Sequence, residues 1–380
     1  MRHHLYNPNF KFVKDPVEFN KYTDRNVLQY CLGATMYMPG HRDFTEAILT
    51  HKYPGLTAMV MCFEDACKLE DVPRAEQNSI HTLDVLSEKL ENGEITYADL
   101  PLLIFRVRNI DQFKHFSSML KPEHMKVLAG FNFPKFNAEN GEAYFAHLKE
   151  LNEKFGEIIY GMPIIEDRTV AFKETRMAEL LGIKKILDNY KELVLNVRVG
   201  ATDFSSCFGA RRDVEYTIYD IMTVSDILLD ILNIFSRDGD YVVSGPVWEY
   251  FKVKKEMRFS DLPKINIQES LMKREPLVSP EVDGLMRELI LDKANGFIGK
   301  TIIHPSHINF VNGILAVTRE EYEDAVQVLA TSGGVIKSGN ANKMNEIGPH
   351  RLWAEKLVAR AEAYGVIESK QSYLELFGTN

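Results

Sequence analysis

The chain lacks the features that would place it in a membrane, in an oxidising compartment or on nucleic acid. No apolar run is long enough to cross a bilayer, and residues 1–10 lack the apolar core of a secretory signal. Only 4 of the 380 residues are cysteine, and no long basic run balances the formal net charge of −9. We therefore expect a cytoplasmic protein that acts on a small molecule, with neither nucleic acid nor a membrane as a partner.

The four cysteines show no spacing typical of a zinc site. Cys62 and Cys67 lie in or beside an apolar segment, so we expect them to be reduced and to fill the core. The rest of the composition is that of an ordinary globular protein, with 45% hydrophobic and 26% charged residues. The length is large for one domain but typical of a barrel of alternating strands and helices.

Strand-like apolar segments recur at regular intervals, with helical spacing between them, for example at 141–155 and 173–187. The segments are 34–38, 57–63, 102–107, 128–133, 158–165, 193–199, 241–244 and 297–303. Eight strands alternating with helices predict an α/β fold of the (β/α)8 TIM-barrel type with a C-terminal helical extension.

The predicted domain organisation has three parts: an N-terminal extension at 1–33, the barrel at 34–310 and a C-terminal helical and mobile segment at 311–380. The charged insert 251–283 is expected to cover one rim of the barrel. The stretch 332–345 is rich in Gly, Ser and Asn and predicts a mobile loop before a last helix at 350–364.

Two of the predicted strands deliver acids at their carboxyl ends. IIYGMPIIED ends on Glu166 and Asp167, and LVLNVRVGATD passes through a glycine turn to Asp203. Two carboxylates at neighbouring strand ends suit Mg²⁺, which prefers oxygen ligands and completes its shell with water or substrate. For any single acid, a helix cap or a surface ion pair remains an alternative.

Other charged residues follow neighbouring strands and are expected at the same end of the barrel, where active sites of this fold lie. They include Glu64, Asp65, Arg106, Arg108 and Lys135. Arg106 lies within the apolar sequence LLIFRVR, where a guanidinium can bind a carboxylate or stabilise negative charge on a reacting oxygen. A salt bridge from Arg106 to Glu64 or Asp65 is the structural alternative, and both roles are compatible.

The order of these motifs resembles the HpcH/HpaI aldolase and citrate lyase β-subunit family of TIM-barrel C–C bond lyases. The likeness covers roughly residues 30–365, and its most specific part is the Gly-Phe-x-Gly-Lys-x-x-x-His-Pro block. The matched segments are 36–40, 62–67, 106–108, 134–135, 166, 200–204, 296–305 and 343–349.

The resemblance implies a Mg²⁺-dependent lyase, with Mn²⁺ as a substitute, that works through a metal-stabilised enolate of a 2-oxo acid or related carbonyl compound. It implies Glu166 and Asp203 as the metal ligands and Arg106 as the group that neutralises developing charge. A general acid or base is then expected on the C-terminal segment of a neighbouring subunit, with Glu346 as the candidate. This arrangement requires a homo-oligomer, expected to be a trimer or hexamer.

Several positions depart from the family pattern. An Arg-Ser pair before the first strand is absent, the acidic block opens with Cys62 instead of Asp, and Glu346 stands where the family has Asp. These departures argue against carrying over the family's coenzyme A thioester or acyl-carrier substrate. The sequences around 133–135 and 244–251 resemble a divergent branch associated with tellurite-resistance and stress gene clusters.

Glu64 and Asp65 are predicted to position Arg106 and water at the metal. Substrate binding is assigned to Arg108, Lys135, Arg211 and Arg212; for the last two, a solvated basic turn is the alternative. Two other functions remain open: a metal-dependent hydrolase of acyl thioesters or esters on the same barrel, and a catalytically silent assembly subunit of a biosynthetic cluster.

Overall fold

Eight parallel strands form the centre of the protein. The computed structural model of the 380-residue chain describes residues 1–252, 267–339 and 343–378. The strands are β1 (Ala34–Pro39), β2 (Ala58–Cys62), β3 (Leu102–Arg106), β4 (Leu128–Phe133), β5 (Tyr160–Ile165), β6 (Val197–Val199), β7 (Val243–Ser244) and β8 (Lys300–Ile302). Their order is β7-β6-β5-β4-β3-β2-β1-β8, and a parallel bridge between Gly245 and Lys300 joins the two ends. The predicted (β/α)8 barrel is confirmed.

The strands are apolar because both of their faces are covered. Every residue of β2, β3, β4 and β5 is buried. Parallel strands with helices outside and packed side chains inside read as continuous apolar runs rather than as alternating ones. Arg106 at the end of β3 is therefore a charged group at the edge of an apolar core.

Helices connect the strands and continue the chain beyond the barrel. They are α1 (Arg25–Leu28), α2 (Thr45–Leu49), α3 (Val72–Glu91), α4 (Ile110–Ser118), α5 (Gly141–Phe155), α6 (Arg168–Ala171), α7 (Lys173–Asn189), α8 (Ala201–Cys207), α9 (Met222–Phe235), α10 (Ile267–Met272), α11 (Pro280–Asn295), α12 (Ile308–Ile314), α13 (Arg319–Ala330), α14 (Ile347–Tyr364) and α15 (Ser372–Phe377). The predicted C-terminal helical extension is present as α13, α14 and α15. No helix in the described part of the chain is both long and apolar enough to span a membrane.

The two terminal regions meet at the amino-terminal end of the barrel. The ring nitrogens of His3 lie 2.9 Å from the Ala363 carbonyl and 2.7 Å from the Cys31 carbonyl, just before β1. Short strands β9 (Val317–Thr318) and β12 (Val366–Ile367) pair alongside. Packed side chains from both terminal regions cover part of this end, and the carboxyl ends of the strands lie opposite.

Several sequence predictions differ from the structure in detail. The stretch predicted as a loop at 332–345 contains an antiparallel hairpin of β10 (Val335–Lys337) and β11 (Met344–Glu346). The predicted strand 193–199 is shortened to Val197–Val199, which pairs through two residues with β5 on one side and through two residues with β7 on the other. Part of the insert expected to cover a rim, 253–266, lies outside the described residues.

Candidate active site

Charged side chains from five consecutive strands meet at the carboxyl ends of the barrel. Glu64 and Asp65 follow β2, Arg106 ends β3, Lys135 follows β4, Glu166 follows β5, and Asp203 lies in the first turn of α8 after β6. They adjoin a cavity of about 450 Å³. Asp65, Arg106, Glu166 and Asp203 line it directly. Separate predicted positions are thus gathered into one polar centre.

Arg106 is the cation that binds the acids together. Its Nη2 lies 2.7 Å from Glu64 Oε2 and 2.8 Å from Glu166 Oε1, and its Nη1 lies 3.1 Å from Asp65 Oδ2. Arg106 and Glu166 are both buried. Since a guanidinium offers its donors in a rigid plane, it fixes the relative orientation of these carboxylates.

Lys135 bridges the same acids from the next strand. Its Nζ donates to Glu64 Oε1 at 2.6 Å and lies 3.8 Å from Asp203 Oδ1, while its backbone N–H donates to Glu166 Oε1 at 3.1 Å. The backbone of Lys135 has a φ of 45°, in the left-handed region that non-glycine residues seldom adopt. Such backbone strain is concentrated at functional sites.

Glu166 and Asp203 lie side by side. Both carboxyl groups line the same cavity, and their charges interact. Burial, reinforced by the charge of Asp203, raises the pKa of Glu166 to about 7, although Arg106 and Lys135 oppose the shift. Burial likewise raises the pKa of Asp203. Gly200 leaves the room for this pair, because a Cβ there would lie 2.1 Å from Glu166 Oε2.

The charges of the centre suit a divalent cation. Four carboxyl groups face two cations, Arg106 and Lys135, which leaves an excess of two negative charges when all four acids are ionised. Among the described residues no three His, Cys, Asp or Glu side chains form a metal cage. Mg²⁺ does not need one, since one or two carboxylates plus water and substrate oxygens are its usual shell. Glu166 and Asp203 are the pair that fits.

A polar layer below the acids was not predicted. Asn132 Nδ2 donates to Tyr37 Oη at 2.5 Å across the barrel. Arg198 donates to Thr35 Oγ1 at 3.3 Å and to Thr301 Oγ1 at 2.7 Å, and its guanidinium lies 5.7 Å from the Tyr37 ring centre. Tyr37 and Thr301 line the cavity. The sequence contains one indication of this layer: Arg198 lies inside the apolar strand VRV, just as Arg106 lies inside an apolar strand.

Three predicted substrate-binding arginines lie elsewhere. Arg108 donates to the backbone carbonyls of Phe63, at 3.2 Å, and Cys67, at 2.7 Å, and so holds the loop after β2. Arg212 is buried in a separate cluster, where it donates to Glu249 at 3.0 Å and forms a short contact with Glu288. Arg211 is exposed. None of the three lines the cavity, and the guanidinium of Arg212 is occupied by protein acceptors.

Glu346 and Asp167 also lie away from the acids of the centre. Glu346 is exposed at the end of β11, and its backbone N–H donates to His350 Nδ1 at 3.1 Å. It is not among the residues around the cavity of its own chain. Asp167 caps α6, where its Oδ1 accepts from the Thr169 N–H at 2.9 Å, so the cap alternative applies to this acid.

The fold and the site together define a barrel enzyme with an acidic centre at the carboxyl ends of its strands. The chain matches, over residues 26–366, the family described as C–C bond lyase of the TIM-barrel fold. It therefore belongs to that family, and the predicted resemblance is confirmed at this level. Comparison with curated proteins gives no match.

Two solved structures are similar in fold. The CitE protein of Mycobacterium tuberculosis, in complex with magnesium, acetoacetate and coenzyme A, is 16% identical and covers 88% of this chain and 99% of its own, with a TM-score of 0.51. The magnesium and glyoxylate complex of Haloferax volcanii malate synthase is 11% identical and covers 87% of this chain and 88% of its own, with a TM-score of 0.50. At these identities the likeness concerns the fold.

Proposed function

We propose that this member of the family is a Mg²⁺-dependent lyase that breaks or forms a C–C bond next to the carbonyl of a 2-oxo acid or a related compound. The observation that carries the proposal is the pair Glu166 and Asp203, which line one cavity in a centre where four carboxyl groups face only two cations. Support also comes from the magnesium in the two similar structures. Mn²⁺ would suit the same oxygen donors.

Glu166 and Asp203 would hold the cation. When bound, Mg²⁺ would act as a Lewis acid towards the carboxylate and keto oxygens of the substrate. When the C–C bond breaks, its electron pair moves towards the carbonyl, and negative charge develops on that oxygen. Residues that face the cavity must stabilise this charge.

Arg106 is placed for that task while it also orients the acids. Its guanidinium lines the cavity, and its contacts with Glu64 and Glu166 hold it in one orientation. A fixed donor aimed at developing charge typically contributes about 3–4 kcal/mol to the transition state. Lys135 adds a second positive charge and ties Glu64 towards Asp203.

Asp203→Asn tests the proposal. The Asp203 side chain is one-third exposed, so we expect the variant to fold while losing Mg²⁺ binding in a calorimetric titration. Turnover of an aldol adduct of a 2-oxo acid should fall at least about 100-fold, since second-shell changes alone cost 10–100-fold. Glu174→Gln, which removes an exposed carboxylate from α7, is the matched control and should behave as the unaltered protein. Unchanged metal affinity in Asp203→Asn would remove this residue from the site.

Product analysis separates the proposal from hydrolysis on the same barrel. A lyase releases a new carbonyl compound from the broken C–C bond, whereas a hydrolase of acyl thioesters or esters releases an acid and a thiol or alcohol. Release of only these hydrolysis products would replace the lyase by the hydrolase. Failure to bind any metal would favour the assembly subunit.

A further inference from the structure

A second cavity, of about 360 Å³, lies at the amino-terminal end of the barrel, away from the acidic centre. One wall precedes strands β1, β7 and β8, and the other is helix α14. The side chains that matter here are Tyr30, Tyr241, Lys293, Trp353, Lys356 and Arg360. Its volume falls within the range of sites for small organic ligands.

Three cations line this cavity. Lys293 Nζ donates to Tyr373 Oη at 2.8 Å, and Lys356 Nζ donates to the Ser236 carbonyl at 2.8 Å. Both acceptors are neutral oxygens, so these contacts leave the charges in place. Arg360 is only 9% exposed, and its Nε has no hydrogen-bond acceptor in the described part of the chain.

Glu321 is the acid among the described lining residues. Its Oε2 accepts from the Thr318 N–H at 3.0 Å and from Thr318 Oγ1 at 2.8 Å, which caps the first turn of α13. One carboxylate already engaged in a helix cap faces three cations. With both lysines protonated, the cavity therefore carries an excess of two positive charges.

Cations that face one another in a half-enclosed space are unfavourable unless an anion joins them. Burial, together with the charge of Arg360, lowers the pKa of Lys293 to about 7. Burial also lowers the pKa of Lys356. A dianion would remove this repulsion and supply the acceptor that Arg360 lacks.

We propose that this cavity binds a phosphoryl dianion, with Arg360 as the central ligand and Lys293 and Lys356 at its sides. Arg is suited to this because its planar fork matches phosphate oxygens in pairs, while lysine ammonium groups act as point charges. The rings of Tyr30 and Trp353 line the same cavity and would contact an organic group attached to the phosphate. This site is separate from the proposed catalytic centre, and its test does not depend on activity.

The experiment measures melting temperature and calorimetric binding in a phosphate-free and sulfate-free buffer of fixed ionic strength. Inorganic phosphate should raise the melting temperature of the unaltered full-length chain in a concentration-dependent way, because a ligand that binds only the folded state stabilises it. Phenyl phosphate serves as the organic probe. If it binds at least about tenfold more tightly than phosphate, the ligand is a phosphate ester; equal affinity identifies free phosphate.

Arg360→Met should abolish the response to phosphate, because it removes the charge and the planar fork of the central ligand. Arg351→Met is the matched control on the same helix: Arg351 is exposed and paired with Glu355 at 3.4 Å, and its phosphate response should be unchanged. If Arg360→Met does not fold, Lys356→Gln takes its place and should weaken binding at least about tenfold. No phosphate response up to about 20 mM, or an undiminished response in these variants, would overturn the proposal.

Discussion

Arg106 is the residue on which the geometry of the acidic centre depends. Its guanidinium contacts Glu64, Asp65 and Glu166, which come from two different strand ends. The sequence left two roles open for Arg106, a structural ion pair and a catalytic cation. In the structure the same guanidinium forms the ion pairs and lies at the cavity, so the two roles are compatible. A group that orients acids and faces the cavity can do both without moving.

Glu166 makes the stability of the metal-free protein depend on pH. Its carboxyl has a pKa of about 7 in the folded chain because it is buried, against about 4.3 in an unfolded chain. The folded state therefore binds the extra proton between these values, and its stabilising contribution is lost as the pH rises from about 4 to about 7. The contribution amounts to about 4 kcal/mol at most.

Urea unfolding with EDTA at several pH values measures this effect as the difference between the unaltered protein and Glu166→Gln. The comparison is needed because the buried His3 and His4 act in the opposite direction. Burial lowers their pKa values to about 4 and about 3, so their contribution to the stability of the folded protein is lost as the pH falls. We expect the advantage of the Gln variant to grow between pH 5 and pH 7.5, by about 1–3 kcal/mol. A constant difference across this range would show that Glu166 titrates normally.

Sequence reasoning at this scale could indicate which charges lie near the strand ends, but not which of them have a distant partner in the chain. Glu166, Asp203 and Arg106 were predictable because parallel strands end at one edge. Arg212 looked equally available, but its acceptors Glu249 and Glu288 lie 37 and 76 positions away in the chain. No local pattern reveals such a pairing.

The strand ends determine where chemistry can occur in this protein. Strand β4 (Leu128–Phe133) and helix α5 (Gly141–Phe155) have the bounds predicted from periodicity, because their apolar pattern is long and their ends are marked by Pro134 and Gly156. The hairpin β10–β11 was not predicted, since its residues are largely exposed and carry little periodic signal. The chain enters β10 through Gly333 and Gly334, with φ of 70° and 80°.

The turn between β6 and α8 is an element whose shape is required by the site. Gly200→Ala would put a Cβ 2.1 Å from Glu166 Oε2 and 2.6 Å from Glu166 Cβ, so Glu166 must shift from its present position. We expect Mg²⁺ affinity to fall by about 10-fold or more, since displaced supporting geometry has that effect on metal sites. Calorimetric titration of the purified variant measures it.

Gly348→Ala is the control for this substitution, because a Cβ there meets nothing within 4 Å. It adds the same methyl group within helix α14 and should leave Mg²⁺ affinity unchanged. Equal affinities for Gly200→Ala and Gly348→Ala would mean that Glu166 does not need its present position to bind the cation.

The two ends of the barrel differ in what they hold: the terminal regions of the chain pack at the amino-terminal end, and the proposed catalytic residues lie at the other. The terminal regions close the amino-terminal end, where Asn312 Nδ2 donates to the carbonyls of His3 at 3.1 Å and Gly55 at 2.8 Å. The acids occupy the opposite end, as is general for this fold. The closure of the amino-terminal end was not predicted, because 1–33 looks polar in sequence although His3 and His4 are buried.

Glu346 raises the question whether one subunit contains all the residues of the active site. The residue is exposed at the end of β11 and absent from the cavity of its own chain, so it can serve as acid or base only from a neighbouring subunit. We predict a trimer or hexamer in light scattering, and we predict that Glu346→Gln and Glu166→Gln are each inactive alone. Mixed and reassembled, they should regain part of the activity, because some sites then combine two intact residues.

The contrary results are distinct for the two parts of this prediction. A purely monomeric protein would exclude action across subunits. Full activity of Glu346→Gln would show that this residue takes no part in catalysis, and it would not bear on the proposed metal centre. In that case the acid or base must be sought among the groups that line the cavity.

The most direct measurement is a calorimetric titration of the metal-free protein with Mg²⁺, with and without pyruvate or oxaloacetate. Chelation of the cation by both the protein and a 2-oxo acid predicts that the acid tightens Mg²⁺ binding, and that Glu166→Gln abolishes the effect. Binding of Mg²⁺ that neither acid changes would contradict the proposed 2-oxo acid chemistry, and no binding of Mg²⁺ at all would contradict the metal centre itself.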